Sequence, residues 1–227
     1  MTVMLSALPL ASCIDAYADI VLGRDGSGTI TVEYVLSGEF AALGRQDGNS
    51  GRPPVPAGPA DFRRAAARIT GLRYHSGSMR ERDGDVVCRA RLDFDSPVSL
   101  LAFLDGSGAS TYRQTAETHI LSLALTEALD ASPSQASPSQ AQALPSSIQA
   151  DFAREAADGR EVVIRFRFPS GGDLYLTDGE GRRVVAPPLW TVRASDGKAE
   201  FRAPLGDLIT REGVLFLEAA WTGGSGR

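Results

Sequence analysis

Two cysteines, two histidines and a few closely spaced carboxylates are the residues whose chemistry goes beyond packing in this 227-residue chain. His75 and His119 each stand in strand-like sequence, and neither belongs to an HExxH or CxxC spacing, so no zinc site is expected. Asp93 and Asp95 are two residues apart in an alternating run, which places both on one strand face. That spacing permits acid–base work or cation binding, although solvated carboxylates on the outer face of a sheet are the commoner outcome. A Ser-His-Asp arrangement lacks its scaffold, because there is no G-x-S-x-G elbow and the serines concentrate in loops. Gly26-Ser-Gly28, Gly106-Ser-Gly108 and Gly179-Glu-Gly181 each follow an aspartate and read as turns rather than phosphate cradles. Asp178-Gly-Glu180 offers too few oxygens for a calcium loop. No catalytic residue, metal ligand or cofactor is assigned from these patterns.

Cys88 falls in Val86-Val-Cys-Arg-Ala-Arg-Leu-Asp-Phe94, where alternation puts Val86, Cys88, Ala90, Leu92 and Phe94 on one face and makes the thiol a core residue. Cys13 has a different setting. It ends a short apolar stretch, Met1 to Ser12, whose last residues are small, as in a hydrophobic leader followed by a cleavage site. Leu10-Ala-Ser-Cys13 resembles the bacterial lipobox, which implies cleavage before Cys13 and acylation of its sulfur. No Lys or Arg precedes Arg24, so the basic opening of such a leader is expected upstream of Met1. With Cys13 acylated, Cys88 has no partner for an intramolecular disulfide.

The elements that position these groups are read from periodicity. Residues 16–22 and 29–36 alternate on either side of Arg24-Asp-Gly-Ser-Gly28, the signature of a β-hairpin. Residues 44–59 form a Gly/Pro-rich loop, and Asp61 is placed as the N-cap of a short helix through Ile69 that stops at Gly71. Strands at 72–80 and 85–94 pair around Arg82-Asp-Gly84, and Ser96 caps a second helix with Pro97 in its first turn. Residues 111–129 leave two readings, since they alternate like a strand through about Leu125 while Leu125–Leu129 could start a helix, and the strand is favoured. Ala131-Ser-Pro-Ser-Gln135 repeats at once as 136–140, so 130–145 is a flexible Ser/Pro/Gln-rich insert. A helix at 147–157 follows, then strands at 161–168, 173–177, 182–186, 189–194, 198–203 and 213–221. Strand pairs separated by short helices, without a βαβ repeat, predict an α+β fold with a twisted, mainly antiparallel sheet and helices on one face. Arg165 and Arg167 would form a basic stripe with Arg89 and Arg91 if their strands were neighbours, although pairing with Asp and Glu across the face is favoured.

A net charge of −5 and a pI near 5.1 argue against nucleic acid as a partner. No run of about 18 apolar residues is present to span a membrane. The lipobox cysteine, the hairpin at Asp25–Gly28, the strand ending in Phe168-Pro169 and the last strand ending in Trp221 together resemble the spirochaete-type bacterial lipoproteins. More distantly they resemble the domain of LppM-type lipoproteins. That resemblance implies an envelope-facing α/β domain without established catalytic residues, with a lipid-type ligand as one role. LppM-type proteins can carry a C-terminal membrane helix, and the segment 222–227 is none, so the N-terminus is the expected anchor. The organisation expected is a partial lipoprotein signal peptide at 1–12 and an extracytoplasmic domain at 13–227. That domain is a non-catalytic binding or structural module of the cell envelope, held on the membrane by its acylated Cys13, with an envelope lipid, glycan or protein as partner. The alternative is an envelope hydrolase with an irregular site, for which Asp93, Asp95 and His119 are the candidates.

Overall fold

The alternation on either side of Asp25-Gly26 produces the first two strands, β1 (Ile14–Leu22) and β2 (Gly28–Leu36), paired antiparallel from Ile14↔Leu36 to Leu22↔Gly28. Gly26 supplies the left-handed backbone of the turn at φ 83°, and Asp25 Oδ1 accepts the Ser27 backbone N–H at 3.1 Å. A computed structural model of the chain describes residues 14–36, 58–105, 107–115, 117–126, 157, 159–211 and 213–223. Cys13 and the expected signal segment, the loop before Gly58, the Ser/Pro/Gln-rich insert and all but the end of the expected 147–157 helix lie outside the described residues.

The second hairpin joins β3 (Leu72–Arg82) to β4 (Asp85–Phe94). Its two turn residues, Asp83 at φ 54° and Gly84 at φ 85°, make the primed turn whose twist matches the strands. Helix α1 (Pro59–Ala66) starts three residues earlier than the sequence suggests. Its cap is therefore the extended Gly58 and not Asp61, because Pro59 needs no hydrogen-bond partner in the first turn. Asp61 instead pairs with Arg64. Helix α2 (Pro97–Leu104) is capped as expected, the Ser96 hydroxyl accepting the Ser99 N–H at 3.2 Å.

Residues 111–125 depart from the single expected strand. The chain folds back at Thr115–Thr118, where backbone N–H and carbonyl meet at 2.8 Å, giving β5 (Thr111–Gln114) and β6 (Thr118–Ala124). β7 (Glu161–Arg167), β8 (Gly172–Asp178), β11 (Lys198–Pro204) and β12 (Leu215–Thr222) lie where alternation places them. β9 (Arg183–Val184) and β10 (Thr191–Ser195) are shorter than expected, since Pro187 and Pro188 lack the N–H a strand must donate. Helix α3 (Leu205–Thr210) is an element the sequence pattern does not predict.

The α+β class holds, with two sheets where one was expected. The larger has the order β10-β11-β7-β1-β2-β4-β3, antiparallel except for β1 with β7, and the smaller has the order β5-β6-β12-β8-β9. One face of each is apolar, and the two faces share a single core. Across the large sheet Phe166, Ile20, Ile30 and Leu92 sit side by side, all buried. Leu121, Leu123, Leu174, Leu176 and Leu217 face them from the small sheet, while Phe62, Leu100 and Leu208 add the helices to the same core. Pairing both sheets over one core buries the apolar face of each, which is the main gain in such a layered fold.

Candidate functional site

β1 begins at Ile14, so the residue next to Cys13 already belongs to the centre of the large sheet. Asp15 fastens that end: its Oδ1 accepts the Glu161 backbone N–H at 3.0 Å and its Oδ2 accepts from Arg160 at 3.1 Å. β1 is then paired with β2 along its whole length and with β7 from Ala16 to Val21. A pull applied through residue 13 enters the sheet through these two ladders and not through a loop.

The groups singled out for catalysis disperse. Cys88 lies on the core face of β4 opposite Tyr34 and Met79, and burial pushes its thiol above the ordinary range, which disfavours the reactive thiolate. Asp93 lies on the opposite, outer face and has His75 3.8 Å away. Asp95 does not share that face with Asp93. β4 ends at Phe94, and the Asp95 carboxylate turns to accept from the Ser99 hydroxyl at 2.9 Å beside the start of α2. His119 stands on the other sheet, in β6. The three candidates of the hydrolase reading thus have three separate sets of partners.

His119 is 3% exposed and forms part of a ladder of rings that ties the two sheets together. Phe166 stacks on Phe168 at 5.9 Å, Phe168 on Trp221 at 6.3 Å, Trp221 on His119 at 5.0 Å and His119 on Tyr112 at 5.9 Å. The Tyr112 hydroxyl lies 2.5 Å from His119 Nδ1, and on the other nitrogen a Cβ at Gly223 would come within 2.3 Å of Nε2. Burial lowers the His119 pKa from its ordinary 6.5, and the opposing pull of Asp25 is the weaker effect, so the folded ring is neutral at pH 7. The unfolded chain therefore takes up this proton first as pH falls below about 6.5, and that difference drains folding stability toward acid. The urea midpoint is accordingly expected to drop from about pH 7 to about pH 5, and His119→Gln to lose less over the same interval.

A second cluster lies on the outer face of the small sheet. Glu218 of β12 stands opposite Ser122 and Tyr175 and is 7% exposed. Ser122 donates to its Oε1 at 3.1 Å and Thr177 at 3.4 Å, with Arg113 3.6 Å away. Burial first, and its hydrogen bond to Glu218 second, hold the Tyr175 phenol above its ordinary pKa. This carboxylate is supplied with donors on its own sheet, which accounts for its burial without a ligand.

The expected basic stripe does not form, because β1 and β2 separate β7 from β4. Arg165 donates to Glu200 and Arg167 to Asp19, both at 2.7 Å, and level with Arg165 the sheet presents Asp19, Thr31 and Arg91 in turn. The face is a mosaic of both signs, the alternative favoured by the sequence. Near the tip of the β3–β4 hairpin it carries an open groove of 230 Å³ floored by Val35 and Val87 and rimmed by Glu33, Arg80, Arg82, Asp83 and Asp85.

With these features placed, comparison with known structures adds a distant likeness. The fold resembles that of the LppM domain. Superposition on the NMR structure of the folded domain of the Mycobacterium tuberculosis LppM protein covers 92% of this chain and 90% of that chain, with a TM-score of 0.46 and 11% identity. No family model and no curated protein matches the sequence, so the spirochaete-type resemblance has no support at sequence level. Among the described residues no helix is long and apolar enough to cross a membrane, and no three His, Cys, Asp or Glu gather as a metal site.

Sequence reasoning missed Glu218 because its donors come from strands far apart in the chain. The burial of His119 had a local signal: it shares its alternation with Leu121 and Leu123, both core residues.

Proposed function

We propose that this chain is a bacterial envelope lipoprotein whose Cys13 is the acylated N-terminus and whose domain is a non-catalytic binding or structural module. The observation that carries the reading is Leu10-Ala-Ser-Cys13 standing immediately ahead of the first strand at Ile14. A leader that is cleaved must lie outside the folded core, and among the described residues the first paired one follows the cysteine directly. Each acyl CH₂ buried in a bilayer contributes about 0.8 kcal/mol, so the several chains of such an anchor hold a domain without any spanning helix. The fastening of Asp15 to Arg160 and Glu161 supports a tethered β1. The separate partners of Asp93, Asp95 and His119 favour a non-catalytic role over a hydrolase, and no cofactor is invoked. The partner is the membrane itself through the anchor, together with an envelope lipid, glycan or protein, and not nucleic acid.

The test is metabolic labelling of bacterial cells with a palmitate analogue. Wild type and Cys88→Ala are expected to incorporate label and to fractionate with membranes, whereas Cys13→Ser is expected to lose both. An unlabelled wild type would remove the anchor and with it this reading.

A further inference from the structure

Between β9 and β10 the chain runs through Val185-Ala-Pro-Pro-Leu189, an apolar loop in which Ala186 packs against the core while Val185, Pro188 and Leu189 stand exposed, and neither the fold nor the anchor explains them. Val185 is 92% exposed and Leu189 70% exposed, and they are the most exposed of the large apolar side chains described. A soluble surface tolerates single apolar side chains, but two on one short loop with two prolines between them form a presented patch.

The register fixes where that loop lies. Thr191 pairs with Arg202, Arg202 with Val163, and Val163 with Tyr17, so the first residue of β10 is level with Tyr17 of β1. β10 and β1 run the same way. The residues just before Thr191 therefore project from the end of the sheet at which β1 begins, at Ile14. Three strand steps of about 4.8 Å separate β10 from β1, roughly 14 Å across the sheet.

The loop is also built to hold its shape. Trp190 packs edge-on against Phe201 at 5.6 Å, its Nε1 donates to Asp207 at 3.3 Å, and the Arg211 guanidinium lies 5.2 Å above its ring. The Trp190 backbone N–H donates to the Pro187 carbonyl at 2.9 Å, closing a turn beneath the tip. Pro187 and Pro188 have no N–H, so burying the tip in an apolar medium leaves fewer donors without a partner.

We infer that this loop is a second membrane contact: Val185 and Leu189 insert into the boundary between headgroups and acyl chains of the bilayer that holds Cys13. The inference rests on the lipoprotein reading for its setting. A bilayer is the occupant because the acyl chains of residue 13 enter it at the same end of the domain. Tethering within that span gives the loop a high effective concentration at the surface, so two side chains suffice where they would not hold a free domain. Insertion here is apolar, since a net charge of −5 gives no general attraction to anionic lipid. The contact would fix the domain's orientation, with the β1–β2 turn at Arg24 pointing away from the membrane.

The test places an environment-sensitive fluorophore on the acylated full chain through Leu189→Cys, with Arg24→Cys as the opposite-end control, on phosphatidylcholine vesicles. At 189 the emission should shift blue, and acyl-chain nitroxide lipids should quench it at least about twofold more than at 24. Adding Val185→Asp to the Leu189→Cys chain should cancel both effects. A water-like signal at 189 equal to that at 24, on chains whose mass carries the acyl group, would overturn the inference, including in favour of a protein partner for the loop. If the mass shows no acyl group, the lipoprotein reading itself has failed. The loop is then tested on a chain with a hexahistidine tag replacing residues 1–12, held on nickel-chelating vesicles. Insertion there sustains the loop contact without the anchor, and its absence overturns it.

Discussion

Trp221→Ala is expected to cost about 3–5 kcal/mol of folding stability, read as a lowered urea midpoint with an unchanged slope, a large share of the roughly 5–15 kcal/mol that keeps a domain folded. Trp221 is 2% exposed and is the middle ring of the ladder, stacked on Phe168 from one sheet and His119 from the other. Its removal opens a cavity where the two sheets meet, and the neighbouring rings cannot close it without pulling the strands out of register. Trp221→Phe separates the contributions. The indole Nε1 is buried without a hydrogen-bond partner, so this variant removes an unsatisfied donor along with some apolar contact and should cost only about 1 kcal/mol. Equal losses for the two substitutions would show that the sheets are held together elsewhere.

The ladder also marks the boundary of what the sequence discloses. Both Asp-Gly hairpins and the Ser96 cap are legible because their determinants lie within a few residues of one another. The faces of β1, β2 and β4 are legible because a strand's period is two whatever its partner. Partner choice is another matter. Val162–Arg167 is the parallel neighbour of β1, and nothing in either segment names a partner so distant in the chain. Once β7 is inserted beside β1, the Arg165 and Arg167 side chains meet Asp19 and Glu200 instead of Arg89 and Arg91. The fold-back at Thr115–Thr118, which makes β5 a separate edge strand of the small sheet, has a turn that lacks the Gly or Pro that marks the others. At the site the same rule applies. Cys88 and His119 carry local burial signals, whereas Glu218 depends on strands brought together only by the finished fold.

A single methyl group tests whether that finished fold depends on its first hairpin. Gly28→Ala is expected to destabilise the domain by about 3 kcal/mol, at the upper end for overpacking. Gly28 pairs with Leu22 on one side and Phe94 on the other, and the Phe94 ring lies across it. A Cβ there would stand 2.0 Å from the Val21 carbonyl oxygen and 2.6 Å from Phe94 Cζ. The ring is buried and the carbonyl belongs to the β1 backbone, so relief requires β1 and β2 to part at the turn. Two other glycines calibrate the effect. Gly84, at φ 85° with open space around it, should lose only the 1–2 kcal/mol or so of left-handed backbone strain on changing to Ala. Gly171, with open space and no such φ, should be nearly neutral. That parting starts at the end of β1 away from Asp15, so the β1 amides nearest the turn open first. Amide exchange along Ala16–Val21 in Gly28→Ala is therefore expected to quicken ahead of exchange along β12, and uniform quickening would place the strain outside the hairpin.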